Sequence, residues 1–330
     1  MIHVNFVDLS IIILSYNSKT DLERLLPSIF ESEGVRFDSN DKNNSNGKLK
    51  AEVIVVDNDS KDATVKWLET DFLGRENLSL IKNTNNGFSH GNNLGIKAAK
   101  GKYLLILNPD TKLEKDTLKT MYEFMESNPE VGISTCKVVL PNGKLDLACR
   151  RRFPNPWNSF LRLVGISKRD YNMLDTNENA SQEIDSCMGA FMMVRRTVLE
   201  RVDLAKSSTL SVTRRVTSPP EGEKYIEKAF DETFFMYGED LDLCWRVKEA
   251  GFKVWYYPKT FITHYKGSSS KKTPFKALKW FHDAMWIFYK KHYAKKYIFI
   301  FNWLVFLGIY LRFIILVVIN SFKKEPKVSG

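Results

Sequence analysis

The chain is short of the residues that announce the commoner chemistries. Its 330 residues include four cysteines, Cys136, Cys149, Cys187 and Cys244, none in CxxC spacing. That argues against a disulfide framework or a zinc site and for buried thiols in a reducing compartment. No GxGxxG turn and no GxxxxGK[ST] loop occurs, so dinucleotide-dependent hydride transfer and P-loop phosphoryl transfer both lose ground. The start has no basic region followed by an apolar stretch and a small-residue cleavage site, which argues against a secretory signal. No internal repeat is visible. No helix aims Arg and Lys along one face and no aromatic RNA-binding signature appears, so nucleic acid is not an expected partner.

What is present fits a globular protein with a sizeable core, since 43% of residues are hydrophobic. The net charge of +10 is unevenly spread: from Lys266 to Lys296 there are nine lysines against one acid, Asp283. This basic run adjoins the most apolar stretch of the chain, YIFIFNWLVFLGIYLRFIILVVI, residues 297–319. A basic run beside an apolar one suggests the face of an anionic membrane. The stretch is long enough for a spanning helix, which needs about 20 largely apolar residues. A helix lying in the interface and a helix packed on the core are the other two readings. Lysines flank it on both sides, so charge gives no orientation.

The first half alternates as parallel β/α units do. LSIIILSYN and AEVIVVDND are continuous β-branched runs of the kind a sheet covered on both faces requires. LSLIKN and KYLLILNPD are the third and fourth strands. The intervening segments carry helical periodicity, with Leu22, Leu25, Leu26 and Ile29 on one face and Ser60 as the expected cap of the second helix. The pattern is that of an α/β fold with a doubly wound, mostly parallel sheet flanked by helices. Residues 1–270 read as one domain and 271–330 as a C-terminal helical region. The polar, Asn-rich stretch 36–50 and the stretch 205–224 read as mobile surface insertions.

In such sheets ligands bind beyond the carboxyl ends of the strands. After the first strand come Ser15, Tyr16 and Asn17; after the second, Asp57, Asn58, Asp59 and Ser60; after the third, Asn85, Asn86, Gly87 and Phe88; after the fourth, Asn108, Pro109 and Asp110. Turn propensity accounts for any one of these clusters. Four in succession favour a site for a polar ligand. A nucleotide held there without a phosphate loop needs a counter-charge, and a divalent cation bound through carboxylate and phosphate oxygens supplies it economically. Asp110 is placed to contribute. Further along, MYGEDLDLCWR opens on Glu239, Asp240 and Asp242. Acids at a helix start are explained by the partial positive charge there.

The order IIILSYN, VIVVDNDSKD, NNGFSHGNNLGI, YLLILNPDT, CMGAFMMVRR, FFMYGEDLDLCWR and ITHYKGSSS closely resembles the inverting glycosyltransferases of family two, with the GT-A fold. The bacterial rhamnosyltransferase-like branch is the most similar. The resemblance covers roughly residues 8–270. It implies a nucleotide-diphospho-sugar donor, a glycan or lipid-linked saccharide acceptor, Mg2+ or Mn2+, and work at the cytoplasmic face of the membrane. Ser15, Tyr16, Asn17, Asp57, Asn58, Asn86, Gly87, Phe88 and Asn108 then line the nucleotide site. Asp110 stands at the last position of the family's DxD element, with Asn108 replacing its first carboxylate, and His264 matches the late metal-ligand histidine. Asp240 matches the general base, Glu239 its neighbour in the acceptor site, and Asp242 is expected to pair with Arg246 one turn on. Gly189 and Ala190 leave room either for the acceptor or for simple packing. Donor identity stays open between a thymidine-diphosphate rhamnose and a UDP-hexose. A membrane-anchored nucleotide-sugar-binding protein without catalysis is the rival outside enzymes; a processive synthase lacks support, for the chain has no QxxRW element.

Overall fold

The structure, a computed structural model, describes residues 7–37, 48–72, 77–156, 171–210, 226, 228–266 and 274–323, with backbone alone for 204–210. The strands are β1 (Val7–Ser15), β2 (Val35–Arg36), β3 (Leu49–Asn58), β4 (Leu78–Asn83), β5 (Gly101–Leu107), β6 (Thr111–Leu113), β7 (Val131–Val139), β8 (Gln182–Ile184), β9 (Phe191–Arg195) and β10 (Lys253–His264). The helices are α1 (Lys19–Phe30), α2 (Thr64–Asp71), α3 (Phe88–Ala98), α4 (Thr117–Ser127), α5 (Arg196–Leu210), α6 (Glu239–Glu249), α7 (Pro274–His292) and α8 (Phe299–Ser321).

The strands form one sheet in the order β2-β3-β1-β5-β9-β7-β10-β6, with β4 also on β3 and β8 also on β10. β1 is flanked in parallel by β3 and β5. It is a central strand of a sheet whose two faces are both covered, and so Leu9, Ile11, Ile12 and Ile13 are all fully buried rather than alternating. Each such side chain contributes about 1.5–3 kcal/mol relative to exposure. Register places Ser15 beside Asp57 and Ile13 beside Leu107, so three strand ends finish along one edge. β9 runs antiparallel between β5 and β7, bringing its first residue, Phe191, beside Leu107. β10 runs parallel to β7 and ends with His264 beside Thr111. The carboxyl edge expected to hold the ligand thus also receives the start of β9 and the end of β10.

Two local expectations shift. Ser60 does not cap α2, whose cap is Ala63; its N–H and hydroxyl turn back onto the Asp57 carboxylate instead. Asp57 is a buried acid at a strand end, and the nearest donors satisfy it. The C-terminal apolar helix starts at Phe299 rather than Tyr297, which stays extended, and it runs to Ser321. Of the stretch 36–50, Arg36 and residues 49–50 are strand, Val35–Arg36 pairing with Leu49–Lys50; residues 38–47 lie outside the described residues. Of the stretch 205–224, residues through Leu210 are helical, and 211–224 lie outside the described residues. A small second cluster, Phe234, Leu241, Ala284 and Phe288, fastens α7 to α6 and the loop before it.

Candidate active site

The β1 and β3 ends are tied together by their own polar groups. Asn17 takes a left-handed φ of 51°, donates its N–H to Ser60 Oγ at 2.7 Å and accepts the Lys61 N–H at 2.7 Å. Asp57 accepts the Ser60 N–H at 2.9 Å and its hydroxyl at 2.6 Å. Ser15 Oγ is buried with no hydrogen-bond partner, and the neighbouring Tyr16 ring is exposed. A flat exposed ring suits a heterocycle, which stacks on it, whereas the buried Ser15 hydroxyl is not open to solvent.

The β3 and β4 ends meet through amides. Asn58 donates to Asn85 Oδ1 and to the Gly87 carbonyl, both at 3.2 Å, and accepts from Asn83 Nδ2 at 2.8 Å. Its side chain is therefore occupied in holding the loop. Asn86 is exposed, its side chain bonded to Thr84 Oγ1 at 3.1 Å. Gly87 has φ 100°, and a Cβ there would stand 2.5 Å from the Phe235 carbonyl oxygen. That carbonyl accepts the Phe88 N–H at 2.6 Å, so glycine is what lets the two loops touch. Ser89 Oγ donates to the Phe234 carbonyl and Asn93 Nδ2 to the Phe230 carbonyl, at 2.7 and 2.9 Å. The start of α3 is thereby stitched to the segment leading into Glu239 and Asp240. The ring of Phe88 closes on Gly189, where a Cβ would meet it at 3.2 Å; the small residue there serves packing.

At the β5 end, Asn108 donates its N–H to the Ala190 carbonyl at 3.2 Å, and its carbonyl accepts from Thr111 Oγ1. Asp110 and His264 do come together: Oδ1 lies 3.2 Å from Nε2. Their partner is Asp146, whose Oδ2 lies 3.0 Å from His264 Nδ1 while Oδ1 accepts from Lys266 Nζ at 2.7 Å. Burial works to lower the pKa of His264, but the two carboxylates outweigh it and lift it to about 9. Asp146 is itself held below the usual carboxylate range: burial opposes this, and His264 and Lys266 prevail.

Among the described residues no cluster of three or more His, Cys, Asp or Glu forms a cation cage. Two protein donors do suit Mg2+ or Mn2+, which are commonly held by one or two side chains plus phosphate oxygens. The fit is strengthened by Asp146, which fixes the imidazole by one nitrogen and leaves the other facing Asp110.

The third cluster opens α6. Asp240 is buried; its Oδ2 accepts from Arg151 Nη2 at 2.6 Å and its Oδ1 from the Leu241 N–H at 2.7 Å. The same Nη2 donates to the Cys187 carbonyl at 2.6 Å, two residues before Gly189. Burial acts against the charge on Arg151, yet Asp240 raises its pKa. Glu239 is buried with Oε2 unpartnered. Burial first, then the Asp240 charge, push its pKa up to about 8, which favours the neutral acid. Asp242 has no exposure and binds Arg246 Nε at 2.9 Å, as expected, and also Lys291 Nζ at 2.6 Å and His292 Nε2 at 2.9 Å from α7. Burial alone would raise its pKa; these three partners hold it well below the usual range.

The residues that sequence reasoning missed are Asp146, Arg151, Ser89 and Asn93. Asp146 looks like part of a PNG turn. The signal for Ser89 and Asn93 was available: two polar residues four apart on what becomes a buried face of α3.

Comparison with known proteins bears on this arrangement. The model of the family described as glycosyl transferase family 2 matches residues 10–203. The chain is 27% identical over 202 residues to the rhamnosyltransferase WbbL of Escherichia coli K12, covering 59% of this chain and 66% of that protein. It is 24% identical over 251 residues to the low-salt glycan biosynthesis hexosyltransferase Agl10 of Haloferax volcanii, covering 75% of this chain and 64% of that protein. The matches thus span just under two thirds of these relatives' own lengths. The structure of S. aureus TarS residues 1–349 superposes with a TM-score of 0.53 at 16% identity, covering 97% of this chain and 76% of that one. GalNAc-T7, solved with UDP, GalNAc and Mn2+, gives 0.52 at 12% identity, covering 81% and 44%. At such identities the likeness is one of fold, and the fold is GT-A.

Proposed function

The chain belongs to glycosyl transferase family 2, and on that premise we propose that it is an inverting enzyme moving a sugar from a nucleotide diphosphate to an acceptor hydroxyl. The observation that carries this is the joining of three clusters at one sheet edge. Asn108 bonds Ala190, Arg151 bonds both Cys187 and Asp240, and Phe235 bonds the loop at Gly87 and Phe88. In this reading Tyr16 and Asp57 receive the base and ribose. Asn17, Asn58 and Asn86 hold the surrounding loops, and Asn108 lies beside the diphosphate. Asp110 and His264, the latter once its proton is displaced, would hold Mg2+ or Mn2+, which would supply positive charge against the departing diphosphate.

Inversion is a single displacement. The acceptor oxygen bonds to the anomeric carbon as the carbon–oxygen bond to the diphosphate breaks, and Asp240 takes the hydroxyl proton. Arg151 keeps that carboxylate aimed. Neutral Glu239 donates its free O–H to the acceptor or the sugar. The donor sugar is read as rhamnose, because WbbL is named a rhamnosyltransferase; UDP-linked hexoses are the alternative, because Agl10 is named a hexosyltransferase. The acceptor is a glycan or a lipid-linked saccharide at the cytoplasmic face of the membrane, reached through the apolar C-terminal helix.

The test is release of nucleoside diphosphate from a panel of nucleotide sugars with Mg2+ or Mn2+, in the presence and absence of polyprenyl-linked saccharides. Acceptor-dependent release supports the reading. Tight donor binding without turnover across the panel favours a binding protein instead.

A further inference from the structure

α8 is long and apolar enough to cross a membrane, yet its contacts restrict where it can sit. It runs antiparallel to α7: Phe313 meets His282, Tyr310 OH donates to Asp283 at 3.0 Å, Phe306 packs on Trp286, and Asn302 accepts from Tyr289 OH at 2.6 Å. The other side of α7 lies on the catalytic domain over the same length. Trp280 stacks on Phe235 with centroids 4.6 Å apart, Ala284 and Phe288 join Phe234 and Leu241, and Lys291 bonds Asp231. Domain, α7 and α8 are three successive layers. Were α8 to span a bilayer, the polar loop 231–240 would lie at the depth of the hydrocarbon, where backbone groups have no water to bond.

The two faces of α8 agree with a helix lying along a surface. Its polar side chains turn inward: Asn302 Nδ2 donates to the Ala294 carbonyl, and Arg312 Nη1 lies 2.8 Å from His282 Nε2. Its outward face is apolar throughout, with Ile300, Leu304, Leu307, Leu311, Ile314 and Val318 all exposed. Exposed lysines sit at both ends of the hairpin, Lys290, Lys295 and Lys296 at one and Lys276 and Lys323 at the other. A spanning helix would put these groups on opposite sides of the bilayer; a helix in the interface brings all of them to one anionic headgroup plane.

We propose that the α7–α8 hairpin is a monotopic anchor: α8 lies in the interface of an anionic bilayer, its outer face in the acyl boundary, and does not cross it. This rests on the membrane contact proposed above but not on the sugar chemistry. The cavity of about 250 Å³ between residues 233–236, α7 and α8, lined by Phe235, Trp280, Asp283, Trp286 and Tyr310, then lies between the bilayer and the loop that leads to Asp240. A lipid-borne acceptor would meet the base at the membrane surface.

The experiment is the topology of the two ends of α8 in the full chain. The native cysteines are all buried, so Lys296→Cys and Ser321→Cys, each made singly, report on exposed positions. In sealed inverted vesicles a membrane-impermeant maleimide should label both, because both ends stay on the domain's side. Labelling of Ser321→Cys only after permeabilisation would show a span and overturn the proposal. Flotation of the purified chain tests the surface itself and does not depend on those variants. Binding to vesicles containing anionic phospholipid should exceed binding to zwitterionic ones. Replacing Lys295 and Lys296 with Gln should weaken it by roughly 10- to 30-fold, at about fivefold per lysine. Failure to float with either vesicle, or self-association through the apolar face in their place, would also overturn it. Neither readout requires turnover, so loss of the anchor and loss of the transferase reading are separable.

Discussion

Arg151 Nη2 stands 2.6 Å from Asp240 Oδ2, and each side chain is about one-tenth exposed. One arginine, from the stretch after β7, therefore sets the position of the carboxylate that opens α6, while the same nitrogen grips the Cys187 carbonyl. A buried pair of this kind contributes little to net stability compared with an apolar pair, but breaking it on one side is costly. Arg151→Met should destabilise the fold by about 3–5 kcal/mol, because Asp240 is left as an uncompensated buried charge. Arg151→Lys should keep more of the stability and still lose turnover, since the lysine nitrogen lies one bond nearer the backbone than Nη2 and draws back from the two acceptors that this one nitrogen holds. Urea denaturation and initial rates on the same preparations separate the two effects.

Glu239 gives a pH dependence of definite sign. Its folded-state pKa is about 8, against an ordinary value near 4.3. The folded state therefore holds this proton more tightly than the unfolded chain. The contribution to stability is fully present below about pH 4, is lost progressively as pH rises towards about 8, and levels off above that. Glu239→Gln cannot ionise. Its urea midpoint should exceed the parent's at pH 8 and match it closely at pH 4.

Asp242 behaves in the opposite way. Its pKa is depressed by His292, Arg246 and Lys291 against the pull of burial. Its stabilisation is present above the unfolded value, near pH 4, and is lost as pH falls through the lower folded value. Asp242→Asn should cost about 3–5 kcal/mol at pH 7, since Arg246 and Lys291 lose their shared buried carboxylate. Its stability should also fall less steeply than the parent's below pH 4. Acid titration followed by circular dichroism measures both.

Asp146 touches His264, not the site where substrate would bind. Asp146→Asn should weaken the affinity for Mn2+ by about 10- to 100-fold by freeing the imidazole to rotate. Turnover should be recovered at saturating Mn2+, whereas Asp110→Asn should not be rescued in that way. A chelator should abolish turnover of the parent. The readout is the metal concentration giving half-maximal rate, with direct Mn2+ binding by electron paramagnetic resonance as an independent check.

The β1, β3 and β5 strands were legible because each holds a continuous apolar run ending in polar turn residues, as central parallel strands demand, whereas β4, LSLIKN, is a partly exposed strand paired only with β3 and was legible from the polar loop that follows it. Asp110 was legible as the polar end of the fourth strand, and His264 only through the motif order. Nothing local in ITHYKGSSS says that its histidine returns to β6. Arg151 and Asp146 were not legible, because their roles are set by contacts across 89 and 118 residues of sequence. Ser60 shows the limit of local rules. It has the chemistry of a helix cap, yet a buried carboxylate three residues away competes for it and wins. α8 shows the same limit at larger scale: composition left three placements open, and only its packing against α7 distinguishes among them.

The central claim is that Asp240 takes the acceptor's proton. The measurement that tests it most directly is turnover together with donor affinity in Asp240→Asn, on protein whose melting transition shows it folded. The expected result is a fall in kcat of about 10²- to 10⁴-fold with donor affinity unchanged. Turnover near that of the parent, with the fold intact, would contradict the assignment.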